Sequence, residues 1–370
     1  MSPLELSIMA SVFLVVLMTA LTFMFFFSTT WDRKDEETSE SADISALISE
    51  MYLNSQEITS QTGISAEELG RKSVSAYERG NLLESVYLNT AKNLMENKFP
   101  ERPDNLREVL LPDVTRINKY LSYSIFHQNI AHSGIKNHLT VLFNITSGPL
   151  LDHYSENPGN FNLKPEHLAR NHRKLEVVTG YISLISRVFL RFEPEIYYLP
   201  DGEMLSIAST RKNSKWFPSI VIGKSFLKLT ENQMIFMLAQ KIALLRPELR
   251  FVTLFSSEKE FTEFSVSFSN GITKSPLIEK FIEISSETSR DNFTRITDNV
   301  DTITSEEITE WKNGVVYSAI RLAFIFMSRW YDVDQVMQLQ KTPEFTHELV
   351  KWMISPEFFA TLRFLDIIPD

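Results

Sequence analysis

The feature that most limits what this chain can become is an uncharged apolar run, LSIMASVFLVVLMTALTFMFFF, from Leu6 to Phe27. About 20 apolar residues, in a helix that rises 1.5 Å per residue, cross the roughly 30 Å hydrocarbon core of a bilayer. The run therefore predicts a single transmembrane helix within an anchor region, residues 1–30. A buried helix is an alternative. A cleaved signal peptide is disfavoured because MSPLE lacks Lys or Arg and no A-x-A cleavage site follows.

The residues beside this run bear on its orientation. Trp31 falls at the headgroup level, and Arg33 and Lys34 place the C-terminal side in the cytoplasm by the positive-inside rule, although an acidic DEE follows at once. Residues 31–60 then have the composition of an acidic, Ser-rich linker with a short helix. The membrane is thus the first predicted partner, through Leu6–Phe27.

The overall composition excludes several functional classes. A chain of 370 residues that is 43% hydrophobic has ample material for a core. A net charge of −10 without clustered Lys or Arg argues against nucleic acid as a partner. The absence of cysteine excludes disulfides, thiolate metal sites and a cysteine nucleophile. No Walker loop, G-x-G-x-x-G or G-x-S-x-G motif supports a nucleotide or acyl-transfer enzyme.

Residues 61–101 predict a helical hairpin, because apolar and small residues recur at helical spacing on both sides of RGN. Gly80 is expected to close the first helix. The pattern AYERGNLLES…A…P resembles a tetratricopeptide unit. Ala91 falls one position early, however, and no second copy follows at the 34-residue period of that repeat. A plain helical hairpin is therefore an equal alternative.

Residues 102–370 predict a mainly helical α+β domain. Long apolar stripes over 116–133 and 167–192 predict helices, whereas the Gly-, Pro- and Asn-rich stretch 143–167 between them predicts loops. The segments EIYYLPDGEMLSIAST and FPSIVIG are rich in β-branched and aromatic residues and predict two or three short strands.

Two central helices are predicted from capping boxes, in which a Thr hydroxyl and the side chain three residues later satisfy each other's backbone N–H groups. The first follows Thr230 in TENQ and continues as MIFMLAQKIALL, which is apolar almost all round. The second follows Thr304 in TSEE and continues as ITEWKNGVVYSAIRLAFIFMSRW. Between them, Ser285–Ser305 predicts a Ser/Thr/Asp-rich loop.

The order of strands, MIFMLAQKIALL, a long insertion and VVYSAIRLA is similar to the core of the zinc metallopeptidases of the HtpX and CAAX-prenyl-endopeptidase type. The resemblance implies a gluzincin-like core. It places the first zinc histidine of that family at Ala239, the general base at Gln240, the second histidine at Ala243 and the ligand glutamate at Val316. Zinc needs N, O or S ligands, and none of the three ligand positions supplies one. The resemblance therefore implies no catalytic, cofactor-binding or metal-binding residues.

The neighbouring helix positions follow the same family pattern. Ala319 and Ala323 match its small residues, and Ile320 replaces its aspartate. The segments LLRPE and ISPEFFATLRFLDI also resemble uncharacterised domains of bacterial tetratricopeptide-repeat proteins, which look like non-catalytic relatives of the peptidases. This likeness implies a bacterial inner-membrane location.

The seven histidines offer an alternative metal site. Two pairs lie five residues apart, His127 with His132 and His167 with His172. That spacing separates two side chains on a helix by about 140°, so neither pair shares a face and each histidine is expected to be solvated or locally bonded. HELVK at His347 begins like a zincin motif but carries Lys351 at the second histidine position.

Two further features have a structural and a functional interpretation. The glutamates of SSEKEFTEF are expected to lie on a solvated face rather than to form a carboxylate pair. Arg321, alone within an apolar helix, is either a paired or snorkelling arginine or a cleft residue that faces the former metal position.

The sequence therefore predicts a membrane-anchored pseudoenzyme that acts as a protein-interaction or scaffold module, with an unidentified protein partner and a residual cleft as a candidate peptide site. Two alternatives stay open. One is an active zinc peptidase whose ligands, such as His127, His132 or His347, converge from elsewhere. The other is a structural subunit of an envelope complex that docks through the hairpin.

Overall fold

The computed structural model describes residues 64–96, 117, 119–298, 300, 303–327 and 343–367. This part of the chain is mainly helical with a small three-stranded mixed sheet, which confirms the predicted, predominantly helical α+β class. None of the described helices is long and apolar enough to span a bilayer. The predicted span Leu6–Phe27, its anchor region 1–30 and the linker 31–60 lie outside the described residues.

The predicted hairpin is present as two packed helices, α1 (Ala66–Glu78) and α2 (Leu82–Met95). Gly80 closes α1 with a φ of 78°, a conformation that favours glycine. Its N–H donates to the Tyr77 carbonyl, and the next N–H donates to the Ala76 carbonyl. This is the Schellman arrangement, so the role predicted for Gly80 is confirmed.

The hairpin shares its core with the C-terminal part of the chain. The ring of Tyr87 lies 5.0 Å from that of Phe358 and 6.3 Å from that of Phe324, measured between centroids. Leu69 and Ala91 are fully buried and belong to the same apolar cluster as most of the remaining core. Apolar packing, and not only the chain connection, therefore holds residues 64–96 to the rest.

The helix predicted over 116–133 is wrong as a continuous element. Among the described residues, a single α-turn, Tyr123–Ile125, runs into a π-helix, Phe126–Ile130, and the backbone becomes extended at Ala131. Isolated π-turns of this kind are rare and interrupt regular helices.

Backbone groups at both ends of that segment are taken by other partners. Leu121 donates its N–H to the Val188 carbonyl, and its own carbonyl accepts from Arg246. At the other end, the carbonyl of Ile130 accepts from Arg321. These contacts replace the helical hydrogen bonds that a continuous helix would make.

Helix α3 (His138–Tyr154) corrects the loop predicted over 143–167, because it extends well into that range. Asn137 caps it, and Pro149 lies inside it. Burial outweighs the cost of an internal proline, about 3 kcal/mol. The helix buries apolar and small side chains along its length: Leu139, Leu142, Phe143, Thr146, Leu150 and Leu151.

A small sheet follows helix α4 (Glu176–Phe189), which forms the C-terminal half of the helix predicted over 167–192. Its strands are β1 (Glu195–Tyr198), β2 (Leu205–Ala208) and β5 (Ser219–Ile222), in the order β1-β5-β2. Strand β1 runs parallel to β5, with Glu195 opposite Ser219, and β2 runs antiparallel to it, with Leu205 opposite Ile222. The predicted strands are confirmed.

A second, two-stranded ladder was not predicted. Strands β3 (Arg211–Lys212) and β4 (Lys215–Trp216) are antiparallel, and Asn213 and Ser214 form the turn between them, with φ values of 52° and 61°. Two consecutive positive φ values are typical of a type I′ hairpin.

The two central helices begin where the capping boxes predict. Helix α5 (Glu231–Ala243) follows Thr230, and α9 (Ser305–Ile325) follows Thr304, with both reciprocal bonds formed in each box. Between them lie α6 (Glu258–Ser269), α7 (Pro276–Ile284) and α8 (Glu287–Thr297).

Helix α8 corrects the loop predicted over Ser285–Ser305. Ser286 caps it, and Phe293, only 2% exposed, packs 5.2 Å from Phe281. One buried aromatic side chain thus anchors a helix whose composition is otherwise that of a loop.

The described C-terminal part forms α10 (Pro343–Met353) and α11 (Pro356–Phe364). Short 3₁₀ turns connect the elements: Ser133–Ile135, Pro158–Phe161, Pro165–His167, Ala169–Asn171, Arg173–Leu175, Phe226–Lys228, Arg250–Leu254 and Ile272–Lys274.

Candidate functional site at the crossing of two central helices

The positions that the resemblance assigns to a zinc site fall where α5 packs against α9. Ala239 and Ala243, which the resemblance aligns with the two zinc histidines, are 0% exposed and belong to the main apolar core. Ala319 and Ala323 on α9 are also buried. Short side chains let two helices pack closely, so this crossing is filled by packing.

The other positions to which the resemblance assigns a role carry groups without suitable chemistry. Gln240, at the general-base position, is partly buried. Val316, at the ligand-glutamate position, packs against the core, and Ile320 is 1% exposed. Methyl groups do not coordinate zinc, and an amide is not a general base. The crossing therefore brings together the predicted positions without providing a reactive group.

Lys241 is the charged side chain next to these positions. It is partly buried, and the loss of hydration lowers the pKa of its ammonium group to about 8, against the attraction of Glu203. Burial of an amine disfavours its charged form. Lys241 therefore lies in a less polar environment than an ordinary surface lysine.

Close backbone contact fixes the first half of α9. A Cβ atom added to Gly134 would lie 2.8 Å from the Glu310 carbonyl oxygen, so glycine is required at this contact. Nearby, the fully buried Trp311 donates its indole N–H to the Thr140 hydroxyl at 2.9 Å. The 3₁₀ turn at 133–135 and α3 thus hold α9 in place.

A buried ion pair closes the end of α5. Arg246, 0% exposed, donates from Nε and Nη2 to the Glu248 carboxylate at 3.2 and 3.0 Å. Its Nη1 donates to the carbonyls of Leu121 and Phe189, each at 3.0 Å. The guanidinium group also lies 4.5 Å from the Phe126 ring centroid. Through Arg246, the LLRPE segment therefore has a structural role: it joins the end of α5 to Leu121 and to the end of α4.

Sequence patterns gave a resemblance for LLRPE but no role for its charges. A glutamate two residues after an arginine, at the end of an apolar helix, could have indicated an ion pair, because buried charges are normally paired.

Arg321 is a second largely buried arginine, and fewer of its N–H groups have hydrogen-bond partners than those of Arg246. Its Nη1 donates to the carbonyls of Ile130 and Ala131 at 3.1 and 3.3 Å, and its Nη2 lies 3.9 Å from the Glu348 carboxylate. Its Nε is buried and has no hydrogen-bond partner in the described part of the chain. Burial lowers the pKa of Arg321 to about 10, although Glu348 and Glu357 act in the opposite direction.

These contacts bear on the two interpretations of Arg321. Its hydrogen bonds and its ion pair join α9 to the segment after the π-helix and to α10. They do not involve Ala239 or Ala243. The geometry thus favours a paired structural arginine over a residue that faces Ala239 and Ala243.

Glu348 collects the polar contacts of α10. His132 Nε2 lies 3.0 Å from its carboxylate and Lys351 Nζ lies 2.9 Å away. Burial alone would raise the pKa of Glu348, but these hydrogen bonds outweigh burial and lower it to about 2. Glu348 therefore stays ionised and ties α10 to α9 and to the segment after the π-helix. Sequence patterns did not assign it a role.

His132 uses both ring nitrogens in this cluster. Its Nδ1 accepts the Gly134 N–H at 3.1 Å, so its Nε2 carries the proton that faces Glu348. Its backbone N–H donates to the Ser318 hydroxyl. No lone pair is left on the ring for a metal ion or for proton abstraction unless one of these bonds breaks.

The other predicted histidines lie apart. His127 stacks on Tyr123 with centroids 5.4 Å apart, and burial and Lys136 lower the pKa of its imidazole. His167 and His172 bond to nearby backbone groups, as expected. His347 lies in α10, but its side chain is outside what the structure describes.

Metal-ligating groups do not converge elsewhere among the described residues. This part of the chain contains no cluster of three or more His, Asp or Glu side chains that could hold a metal ion. The glutamates of SSEKEFTEF lie exposed on α6, as predicted.

Two surface concavities lie away from the crossing. One, of about 590 Å³, is a groove along the hairpin. The other, of about 440 Å³, lies between the end of α3, the β3–β4 turn and the start of α8. Ala239, Ala243 and Val316 line neither of them.

Comparisons of this chain with protein-family models, with curated proteins and with solved structures find no match. The resemblance to zinc metallopeptidases therefore rests on the residues quoted above.

Proposed function

We propose that this chain is a membrane-anchored, non-catalytic relative of the HtpX and CAAX-prenyl-endopeptidase type of peptidase, with a gluzincin-like core that serves as a protein-interaction or scaffold module. The anchor is the run Leu6–Phe27, and the location is a bacterial inner membrane with the folded part on the cytoplasmic side. The partner is a protein whose identity the residues do not specify.

The observation that carries this proposal is the burial of Ala239 and Ala243. Both are 0% exposed on a helix that packs against α9. A working zinc site keeps an open coordination position for water or substrate beside its ligands. Apolar packing at Ala239 and Ala243 leaves no room and no reactive group for such a site. Since function depends on the chemistry of a site and not on the fold alone, we infer a non-catalytic role.

The proposed contact surface lies outside the crossing. Neither of the two described concavities includes Ala239 or Ala243 in its lining. An interaction module needs an exposed surface, and both described concavities lie on the surface away from the crossing.

The test is a paired measurement of metal content and peptidase activity on the full chain in detergent. We expect less than about 0.1 zinc per chain, and hydrolysis of unfolded casein no faster than with the double variant His132→Ala/Glu348→Gln. About one zinc per chain, with hydrolysis that a chelator abolishes and added zinc restores, would instead establish the alternative of an active peptidase with non-standard ligands.

A second measurement addresses the interaction role. Affinity purification from the native membrane is expected to recover a protein partner in about equal amount with the chain. Recovery of the chain alone, under mild detergent and after crosslinking, would contradict the scaffold proposal.

The alternative of an envelope-complex subunit that docks through the hairpin makes a narrower claim. Deletion of the hairpin cannot test it, because Tyr87 packs into the shared core against Phe358. Surface changes at Val74 and Tyr77, which are 58% and 55% exposed, leave that core intact. Loss of the partner on Val74→Glu/Tyr77→Glu would support this alternative.

A further inference from the structure

The outer face of the hairpin carries apolar surface that the described chain does not cover. Val74 and Tyr77, three positions apart on α1, are 58% and 55% exposed. Val74 lines the groove of about 590 Å³ that runs between α1 and α2. Residues three apart share a helix face, so the two side chains form one apolar strip beside the groove.

The groove owes its shape to a glycine. Gly70 has no side chain, and the aliphatic stem of Lys92 on α2 lies about 3.5 Å from the point where a Cβ atom would stand. Lys92 and Arg71 supply positive charge to the groove, and Glu67 and Glu78 supply negative charge. A mixed rim around an apolar strip suits an amphipathic helix.

The chain itself contains a segment with the matching pattern. In DISALISEMYL, residues 43–53, the apolar positions Ile44, Leu47, Ile48 and Met51 follow the spacing i, i+3, i+4 and i+7. That spacing places them on one stripe of a helix. Ala46 falls on the opposite side of the same helix.

The connection is long enough for this segment to reach the groove. NSQEITSQTG, residues 54–63, separates it from the start of the described chain at Ile64. Ten residues reach up to about 33 Å, whereas α1 is about 20 Å long. The segment can therefore turn back along α1, whose first turn already lines the groove at Glu67.

We propose that residues 44–51 occupy the hairpin groove as an amphipathic helix, with their apolar stripe against Val74 and Tyr77. The hairpin thereby becomes a three-helix unit, and residues 44–51 cover the apolar strip of Val74 and Tyr77. This inference concerns the hairpin and does not depend on whether α5 and α9 once held a metal.

The absence of cysteine makes a direct test available in the full chain. The pairs Leu47→Cys/Val74→Cys and Ile48→Cys/Val74→Cys place thiols on the two proposed faces, where a disulfide requires Cα atoms within about 7 Å. Under mild oxidation in detergent, we expect at least one pair to form an intramolecular crosslink, seen as a mobility shift that a reductant reverses.

The matched control is Ala46→Cys/Val74→Cys, which puts the first thiol on the opposite side of the proposed helix. Crosslinking at least about fivefold more slowly than the better test pair is expected for this control. Equal rates for all three pairs, or no crosslink in any of them, overturn the proposal. Crosslinks found only between differently tagged chains would assign the groove to a second copy instead.

A labelling experiment avoids dependence on disulfide geometry. The single variant Val74→Cys is expected to react with a maleimide about tenfold more slowly than the same variant with Leu47→Ser/Ile48→Ser, because the labelling rate follows the fraction of open groove. Val177→Cys on α4, where the native side chain is 63% exposed, should react equally in both backgrounds. Rates at residue 74 that agree within about twofold would overturn the proposal.

Discussion

The two arginines that hold the segment 121–131 differ in how completely they are paired. Arg246 is fully buried, and all three of its nitrogens donate to protein groups, two of them to Glu248. Arg321 keeps two weaker carbonyl bonds and a 3.9 Å ion pair with Glu348, and its Nε lacks a partner in the described part of the chain. A charge can be buried completely only where every donor is satisfied, and the site of Arg321 is accordingly less buried.

The difference separates two kinds of polar site in one core. The contacts of Arg246 are short and bidentate, so this site has a structural role and little spare chemistry. The cluster of Arg321, Glu348 and His132 holds α10 with unequal contacts and retains some donor capacity. Changes at the first site should therefore cost more stability than changes at the second.

The largest expected effect is that of Arg246→Met. The change leaves the Glu248 carboxylate, only 4% exposed, without its partner, and we expect a loss of about 3–5 kcal/mol in the free energy of unfolding. Chemical denaturation of the full chain in detergent measures this loss. The double variant Arg246→Met/Glu248→Leu should recover at least half of it. A double variant no more stable than the single one would show that the carbonyl contacts, and not the ion pair, dominate.

Arg321→Met should cost less, about 1–2 kcal/mol. Glu348 keeps its contacts with His132 and Lys351, and the 12% exposure of the Arg321 side chain allows water to reach the freed carbonyls. The same denaturation experiment ranks the two arginines. A loss as large as that of Arg246→Met would refute the distinction between the sites.

The pH dependence of the free energy of unfolding tests the role of Glu348 in the second site. Because the folded pKa of Glu348, about 2, lies below its ordinary value of 4.5, the unfolded chain binds more protons in this range. The contribution of Glu348, about 1–2 kcal/mol after solvent screening, is present above pH 4.5 and is lost as the pH falls towards 2. Glu348→Gln should therefore be less stable than the native chain at pH 7, and this difference should shrink over that range. A difference independent of pH would contradict the assignment.

The smallest effect concerns a third cation, Lys241, whose burial Glu203 only partly offsets. Its folded pKa of about 8 lies below its ordinary 10.5, so between these values the unfolded chain binds more protons and stability rises with pH. Below pH 8 the cost of burying the charge is fully present. Lys241→Met is expected to be about 1 kcal/mol more stable at pH 7, with a gain that declines from pH 8 to 10.5. A gain that is constant up to pH 10.5 would rule out this origin.

The elements predicted correctly are those in which local and long-range preferences agree. The capping boxes at Thr230 and Thr304 satisfy backbone donors locally, and apolar faces follow directly behind them. Gly80 supplies the positive φ that its turn needs. Such features act within a few residues, so the sequence pattern is sufficient to place them.

The wrong predictions occur where contacts with residues distant in the sequence determine the local secondary structure. Pro149 suggests a loop, but the burial of α3 outweighs its local cost. The apolar stripe over 116–133 suggests a helix, but Arg246 and Arg321 take carbonyls at its two ends. At the candidate site, the sequence placed Ala239 and Ala243 on a core helix, but it could not identify Glu348 as a partner of His132, 216 positions away.

The packing of Tyr87 against Phe358 has a consequence for biosynthesis. Tyr87 is synthesised before the ring of Phe358 that completes its core, and Lys119 is synthesised before its partner Asp366, 247 positions away. Contacts of such high sequence separation delay folding until late in translation. During that interval the inner face of the hairpin is an apolar surface without its final packing partner.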